Sequence, residues 1–397
     1  MPFDHQKTPS WSFTLPFALA LMAPFDILAS LAMDIYLPVV PSMPAMLQTT
    51  PAMVQLTLSL YMVMLGVGQL LFGPLSDRIG RKPVLLGGGA IFALSSFALA
   101  ATDSAVLFIA LRFTQSVGAS AALVATFATV RDVYADRPEG ATIYGLFSAM
   151  LSFVPAIGPI AGALIASGFG WRAIFIALGV FGLIATWRAL RLWPETRPDG
   201  TRVDHLSALK ILKDFPFWTY TLGFGTAMGT FFVFFSTAPR ILIERGGFGE
   251  TTFSLAFASV AMVMIAATRL LSPYTRKWGV RKSVALGMVV LLASALILLL
   301  TENLLQPSFV SLILPMWLAA IGIVLTASMT ANGALAAFDA SAGMAVALYF
   351  CIQSLMVSLA GTALVILLPG DTAWPLIAFC TAMPLVVLTM LARLQRN

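Results

Sequence analysis

Long apolar stretches follow one another along nearly the whole chain, and short polar segments separate them. The hydrocarbon core of a bilayer is about 30 Å thick and requires roughly 20 apolar residues per helix. The pattern predicts an all-α integral membrane protein whose connections are too short for a separate soluble catalytic domain. The twelve predicted transmembrane helices cover residues 14–38, 52–75, 83–102, 105–130, 142–166, 171–192, 216–237, 252–272, 281–302, 308–328, 342–366 and 373–394.

Composition agrees with this fold class, because 59% of the 397 residues are hydrophobic and only 10% are charged. A net charge of +6 would suggest a nucleic-acid partner in a soluble protein, but basic cytoplasmic loops explain it here, so we predict none. Cys351 and Cys380 fall within predicted spans, where cysteine packs as a small apolar residue. His5 and His205 lie in polar flanking segments. We therefore predict no metal site and no cofactor.

The distribution of basic residues predicts the orientation, because Lys and Arg concentrate in cytoplasmic loops. If the N-terminus is cytoplasmic, nineteen of the 23 basic residues face the cytoplasm, and Arg172, Arg240 and Arg245 face the opposite side. Both termini are then cytoplasmic. The nineteen are Lys7, Arg78, Arg81, Lys82, Arg131, Arg137, Arg188, Arg191, Arg197, Arg202, Lys210, Lys213, Arg269, Arg276, Lys277, Arg281, Lys282, Arg393 and Arg396.

The longest cytoplasmic connection divides six spans from six. We predict an N-terminal half over residues 1–194, a linker over 195–214 and a C-terminal half over 215–397. An internal repeat supports this division: residues 73–82 and 272–281, offset by 199 positions, keep a proline, a glycine and basic character. Two pseudo-symmetric halves with a substrate path between them are a recurrent transporter architecture.

Three ionisable residues lie inside apolar runs, where charge is costly and usually functional. Asp26 lies about 18 Å into its helix, near mid-membrane. We expect Arg112, which also lies inside an apolar run, to be its partner. Burial favours a neutral carboxyl group and a nearby cation favours a charged one, and these opposing effects would bring proton uptake and release into the working pH range. The pair would couple protons to transport and would contact substrate. The alternatives are a structural acid satisfied by hydroxyl groups and Arg112, and a structural arginine bonded to helix carbonyls.

Asp34 is eight residues beyond Asp26 and about 80° around the helix. Two roles fit it equally: a proton relay along one cavity, and an anchor at the membrane interface beside Tyr36 and Pro38. Gln115, one turn beyond Arg112, can bind an amide or hydroxyl group of a substrate or serve the fold alone.

Aromatic residues are candidates for the substrate-binding surface. Tyr61, Phe231 and Phe235 can offer rings to an aryl ligand, although aromatic residues are also common in lipid-facing helices. Phe232 and Phe234 interleave with them, and consecutive residues point in different directions around a helix, so all four phenylalanines cannot line one cavity.

Two segments are candidates for conformational gating. The first contains Gly73, Asp77, Arg78, Gly80 and Arg81, whose glycines and charges suit a tight turn and an ion network; its alternative is a basic loop that obeys the orientation rule. The second contains Pro155, Gly158 and Pro159, which interrupt backbone hydrogen bonding in the fifth span; its alternative is an ordinary packing kink.

These segments carry a family resemblance. Residues 73–82 resemble the signature loop of the major facilitator superfamily, and the spacing of Arg112, Gln115 and Gly118 is similar to its fourth-span motif. Residues 155–162 resemble the fifth-span motif of its drug antiporters, although Val154 and Ala163 stand where glycines are usual.

A narrower resemblance runs through residues 23–38, 128–134, 229–236 and 371–375, which look like the chloramphenicol and florfenicol exporters of the drug:proton antiporter branch. The resemblance implies a monomeric, lipid-embedded transporter of the bacterial inner membrane, not an enzyme. It also implies a small neutral amphiphilic drug as substrate, the proton gradient as energy source, and essential roles for Asp26 and Arg112. A broader multidrug or sugar exporter on the same fold is the alternative.

Overall fold

The computed structural model describes residue 11 and residues 13–134, 137–197, 206–338 and 342–394. His5, His205 and linker residues 198–205 lie outside this part of the chain. The described residues form helices and connecting turns, without a β-strand.

Twelve long helices cross the molecule. Gly279, with φ 77° and ψ 171°, divides the 55-residue segment Glu250–Leu304 into two arms, named α8 and α9. The remaining helices are α1 Leu15–Asp34, α2 Pro51–Ile79, α3 Arg81–Ala101, α4 Ala105–Tyr134, α5 Pro138–Phe169, α6 Trp171–Leu192, α7 Phe215–Pro239, α10 Leu314–Leu335, α11 Ala342–Met356 and α12 Trp374–Arg393.

Ten of the described helical segments are long and apolar enough to cross a membrane, with Glu250–Leu304 counted once. The division of that segment and α5, whose apolar part is Phe153–Phe169, bring the number to twelve. The predicted all-α, twelve-helix membrane fold is thereby confirmed.

Short helical pieces complete the ends of the long helices. Wider π-helical turns adjoin α7, α10 and α11, and a short helix lies in the linker. The bundle end that carries this linker helix is called the linker side, and the opposite end the far side. The pieces are Leu37–Ser42, Met43–Met46, Leu206–Lys213, Arg240–Arg245, Phe309–Ile313, Val357–Gly361 and Thr362–Leu367.

The internal repeat appears in the backbone as two matching turns on the linker side. Gly80 lies between α2 and α3 with φ 107°, and Gly279 lies between α8 and α9 with φ 77°. Both values fall in the left-handed region that glycine adopts without a steric penalty. The sequence repeat therefore marks the same turn in each half of the chain.

Small residues bring α3 and α4 into backbone contact. A Cβ atom added to Gly118 would lie 2.5 Å from the Phe92 nitrogen and 2.6 Å from the Gly88 oxygen. Such close approach is how membrane helices gain packing energy without a hydrophobic driving force between them. Gly73 is different, because a Cβ atom there would meet nothing within 4 Å.

Three side-chain hydrogen bonds between described residues join the two halves, and all three lie toward the far side. The Gln55 amide donates to the Ser236 hydroxyl at 3.0 Å, and the Ser59 and Thr362 hydroxyls bond to each other. The third runs from Ser254 to the Pro159 carbonyl at 3.1 Å. The halves therefore close against each other at this end of the bundle.

We expect Gly118→Ala to lower the free energy of unfolding by about 1–3 kcal/mol, because its methyl group would overlap the α3 backbone. Cys351 and Cys380 are buried, so a thiol-reactive fluorophore reports thermal unfolding of the detergent-purified protein. Gly73→Ala is the control and should leave Tm unchanged. Equal Tm values for the two variants would contradict the close packing at Gly118.

Candidate functional site

The most unusual group in the interior is the guanidinium of Arg112 on α4. Its side chain is fully buried, and its Nη1 donates to the Ala32 carbonyl at 3.1 Å and to the Gln115 Oε1 at 2.6 Å. Its Nε and Nη2 have no hydrogen-bond partner, and no carboxylate among the described residues forms an ion pair with it. Arginine stays protonated in proteins. The site therefore holds a permanent cation that no carboxylate of the described residues neutralises.

Aromatic rings partly replace the missing counter-ion. The guanidinium carbon lies 4.6 Å from the centre of the Tyr61 ring, 5.2 Å from that of Tyr36 and 5.9 Å from that of Phe175. Ring faces attract cations, and the attraction is strongest where water is excluded. The Tyr61 hydroxyl donates to the Ala29 carbonyl at 2.9 Å, so this ring is fixed against α1. Tyr61, a predicted substrate residue, thus supports Arg112 in this conformation.

Gln115 connects the arginine to α3. Its Oε1 accepts from Arg112, and its Nε2 donates to the Ser96 hydroxyl at 2.7 Å, which in turn donates to the Phe92 carbonyl at 2.7 Å. Both ends of the amide are therefore occupied. Gln115 therefore orients Arg112 in this conformation, and the sequence had left a substrate contact and a structural role equally open.

Asp26 is the second uncompensated group. Its side chain is fully buried, and neither carboxyl oxygen has a hydrogen-bond partner. The expected contact with Arg112 is not formed, because Arg112 binds α1 at Ala32. Six residues separate Ala32 from Asp26, about 9 Å along the helix axis. An unpartnered carboxyl group at this depth is costly, which favours a functional reason for it.

Asp34 lies closer to the level of the arginine. It is two residues beyond Ala32, about 3 Å along the axis. Asp34 is 6% exposed, so it is a buried group. The arginine therefore contacts α1 between the two aspartates.

The α5 motif packs against the end of α1 that carries Asp34. A Cβ atom on Gly158 would lie 2.8 Å from the Asp34 Cβ, and one on Gly162 would overlap the Ile35 carbonyl. Only glycine leaves room for this approach.

The opposite side of the same motif touches the C-terminal half. Ala156 and Ile160 pack on Ala258 and Ala261 of α8, and the Pro159 carbonyl accepts the Ser254 hydrogen bond. Pro155 is half-buried within the continuous helix. The motif therefore lies between Asp34 and the other half of the protein.

Phe231 and Phe235 belong to an aromatic cluster in the C-terminal half. Its centre is Phe257 of α8, whose ring lies 5.7 Å from Phe231, 5.1 Å from Phe234 and 6.2 Å from Phe235. Phe232 stacks on Phe235 with ring centres 6.5 Å apart, and it also lies beside Gly361, where an added Cβ would meet its ring at 3.0 Å.

Buried amides were missed by the sequence reasoning. Gln353 on α11 is 8% exposed, its Nε2 donates to Ser354 and its Oε1 has no partner. Gln55 on α2 forms part of the contact between the halves. The available signal was an uncharged amide inside an apolar span, which is costly to bury without a partner.

Two of the residues predicted to act in gating, Asp77 and Arg81, belong to an ion network on the linker side of the N-terminal half. The buried Arg81 pairs with Asp77 at 2.5 Å and with Asp132 of α4 at 2.7 Å, and it donates to the Ser76 hydroxyl at 2.7 Å. Gly80 supplies the left-handed turn that places Arg81 at the start of α3. The network ties α2, α3 and α4 together at this end.

The chain after α6 is attached to the same network. Glu195 accepts hydrogen bonds from the backbone nitrogens of Arg81 at 2.8 Å and Lys82 at 3.2 Å, so it binds the free N–H groups at the start of α3. The Arg197 guanidinium donates to the Arg78 carbonyl, while the Arg78 side chain is exposed. Sequence reasoning did not identify Asp132 or Glu195, because their contacts depend on pairs far apart in the chain.

No metal-binding group is found in the described part of the chain: nowhere do three or more His, Cys, Asp or Glu residues come close enough together to hold an ion.

Comparisons with known proteins agree on one family. The profile of the Major Facilitator Superfamily matches residues 25–361. A chloramphenicol resistance protein of Pseudomonas aeruginosa is 48% identical over 96% of this chain and 91% of that protein. Multidrug resistance protein MdtL of Shewanella oneidensis is 27% identical over 83% and 82%. A crystal structure of the peptide transporter POT in complex with sulfate matches the fold, with a TM-score of 0.79, 12% identity and coverage of 100% and 98%.

We expect Asp132→Asn to lower the free energy of unfolding by about 1.5–3 kcal/mol, because it removes one of the two carboxylates that pair with the buried Arg81. The control is Asp103→Asn, whose ion pair with Arg172 is exposed and should be worth about 0–1 kcal/mol. Thermal unfolding of both purified variants measures the difference. A Tm for Asp132→Asn equal to that of the control would refute a structural role for the network.

Proposed function

Because the chain belongs to the Major Facilitator Superfamily, we propose that it exports phenicol antibiotics, chloramphenicol and florfenicol, across the bacterial inner membrane in exchange for protons. The chain is a multi-pass membrane transporter and not an enzyme. The observation that carries the proposed substrate is the 48% identity to a chloramphenicol resistance protein over 96% of the chain.

The chemistry of the interior suits such drugs. Phenicols are small neutral amphiphiles that carry hydroxyl, amide and aryl groups. A mostly apolar site with a few fixed polar groups binds such ligands well. The Phe257 cluster supplies aromatic faces, and the free Oε1 of Gln353 supplies a hydrogen-bond acceptor.

The two uncompensated groups support proton coupling. With the far side open, Asp26 takes up a proton from outside and releases its hold on the drug or on Arg112. The drug leaves, the protein turns toward the cytoplasm, and the proton departs before another drug binds. Exchange of a neutral drug for one proton moves one charge, which makes about 2.3 kcal/mol per 100 mV of membrane potential available.

Asp34 has a direct mechanical route to the other half. Its Cβ lies against Gly158, and the opposite side of the α5 motif contacts α8. A change in protonation or position at Asp34 therefore acts on the interface that must open and close during alternating access. This contact supports a proton-relay role over a purely interfacial anchor.

The orientation follows from the basic residues. With both termini in the cytoplasm, the linker side becomes the cytoplasmic face and the far side the periplasmic face. The proposed path lies between the two halves of one chain, so transport by this path requires only a monomer surrounded by lipid.

A broader multidrug exporter is the second candidate, because MdtL proteins are among the more distant relatives. A sugar exporter is a further alternative on the same fold. Resistance of cells expressing the chain to phenicols, cationic dyes and toxic sugar analogues separates these alternatives. Resistance restricted to phenicols favours the proposed function, and resistance extending to cationic dyes favours the multidrug alternative.

We expect Asp26→Asn to abolish export of radiolabelled chloramphenicol, because the amide cannot exchange the coupling proton. The measurement is drug accumulation in expressing cells with and without an uncoupler, with membrane levels of the protein checked by immunoblot. Asp103→Asn, which changes an exposed carboxylate, should export normally. Unchanged export by Asp26→Asn, or export by the unaltered protein that persists with the uncoupler, would refute the proposed coupling.

We expect Gly158→Ala to slow drug export about tenfold, equivalent to about 1.4 kcal/mol of barrier, because the added methyl group displaces Asp34 from α5. Gly145→Ala in the same helix is the matched control, since a Cβ atom there meets nothing within 4 Å. Initial export rates at equal protein levels measure the effect. Equal rates for the two variants would exclude a role for this contact.

A further inference from the structure

The two repeat-related loops on the linker side differ in charge. At the position equivalent to Asp77 the C-terminal loop has Arg276, and at that of Arg81 it has Val280. The ion network of the N-terminal loop therefore has no counterpart of the same kind in the second loop. Instead, the second loop presents cations whose charge its own sequence does not neutralise.

These cations are exposed. The side chains of Arg269, Arg276, Lys277 and Lys282 lie at the surface, and none forms an ion pair with another described residue. The general excess of basic residues in cytoplasmic loops explains those in the turn. It does not explain Arg269, which lies nine residues before Trp278, about 13.5 Å inside the helix end.

Arg269 lines a groove on the surface of α8. The face of α8 that packs on α5 contains Ser254, Ala258 and Ala261, and helical spacing continues this face through Ile265 to Arg269. Beside this face, toward the linker side, lies a shallow groove of about 330 Å³ on α8 itself, lined by Met262, Ile265, Ala266, Arg269 and Leu270.

The groove has the two chemical parts of a lipid site. The part farther from the linker side is apolar and contains Met262, Ile265 and Ala266, and Met262 is 52% exposed. Arg269 lies at the part nearer the linker side, and Arg276 follows seven residues later on the same side of the helix, about 10.5 Å farther along. An apolar groove followed toward the linker side by the guanidinium groups of Arg269 and Arg276 complements an acyl chain joined to a phosphate.

An exposed aromatic pair fits the level of lipid headgroups. The Tyr274 and Trp278 rings are 5.7 Å apart and exposed by 54% and 37%. Such aromatic residues concentrate where membrane meets water. Because they lie on either side of Arg276 in the sequence, Arg276 is at the level of the lipid headgroups. Arg269 lies deeper and reaches that level by extending its side chain.

We propose that this surface binds an anionic phospholipid of the leaflet on the linker side. One acyl chain lies along Met262, Ile265 and Ala266, and the phosphate contacts Arg269 and Arg276. Clusters of unneutralised Lys and Arg at a membrane surface attract anionic lipids. A bound lipid would cover the surface of α8 next to its contact with α5, where the two halves meet.

The test is native mass spectrometry of the full-length purified protein in detergent, with added phosphatidylglycerol or phosphatidylcholine of identical acyl chains. We expect the protein to retain phosphatidylglycerol in preference. The double variant Arg269→Gln, Arg276→Gln should weaken this retention about 30-fold, the effect of removing two cations near the membrane surface. Arg188→Gln, Arg191→Gln removes the same charge from α6 on the same side and should leave retention unchanged.

A second variant tests the apolar part with the charges intact. Ala266→Trp fills the groove and should also reduce retention of phosphatidylglycerol, whereas Leu296→Trp changes an exposed apolar residue of α9 and should not. Equal retention of the two lipids, or unchanged retention in both the arginine and the Ala266→Trp variants, overturns the proposal. Displacement of a selectively retained phosphatidylglycerol by chloramphenicol would make the groove a drug site and would equally overturn it.

Discussion

A permanent positive charge in the apolar interior is the constraint on which the N-terminal half depends. Arg112 cannot discharge by losing its proton, so the surrounding residues must stabilise it. A carbonyl of α1, the Gln115 amide and the Tyr61 ring do so together, and Gln115 extends the contact to α3 through Ser96. One guanidinium group therefore links α4 to α1, α2 and α3.

The same arginine organises the acids of α1 without neutralising either. It contacts the helix at Ala32, with Asp26 about 9 Å away along the axis on one side and Asp34 about 3 Å away on the other. Asp34 in turn lies against Gly158 of α5, which contacts α8. A continuous set of packed groups thus leads from the buried charge to the interface between the halves. A transporter that alternates between two conformations requires that such a set of packed groups adopt two discrete arrangements.

The sequence was sufficient for the helices and for the identity of the buried charges, because bilayer thickness sets helix length and an ion in an apolar run is conspicuous. It was insufficient to predict which groups contact those charges. Whether Arg112 turns toward Asp26 or toward the Ala32 carbonyl depends on side-chain rotation about a fixed helix position, which spacing does not encode. The contacts of Glu195 and Asp132 with Arg81 were equally inaccessible, since they join residues 51 to 114 positions apart.

The bonds that join the halves differ in kind from those within each half. Every ion pair between described residues lies within one half, whereas the side-chain hydrogen bonds that join the halves on the far side connect only amide, hydroxyl and carbonyl groups. Dissolved salt weakens attraction between charges and has little effect on neutral dipoles in contact. In the orientation proposed above, the neutral seal faces the periplasm, whose ionic composition follows that of the surroundings. In a bacterium that moves between dilute and saline water, the contacts that join the two halves at the periplasmic end would thus keep the same strength.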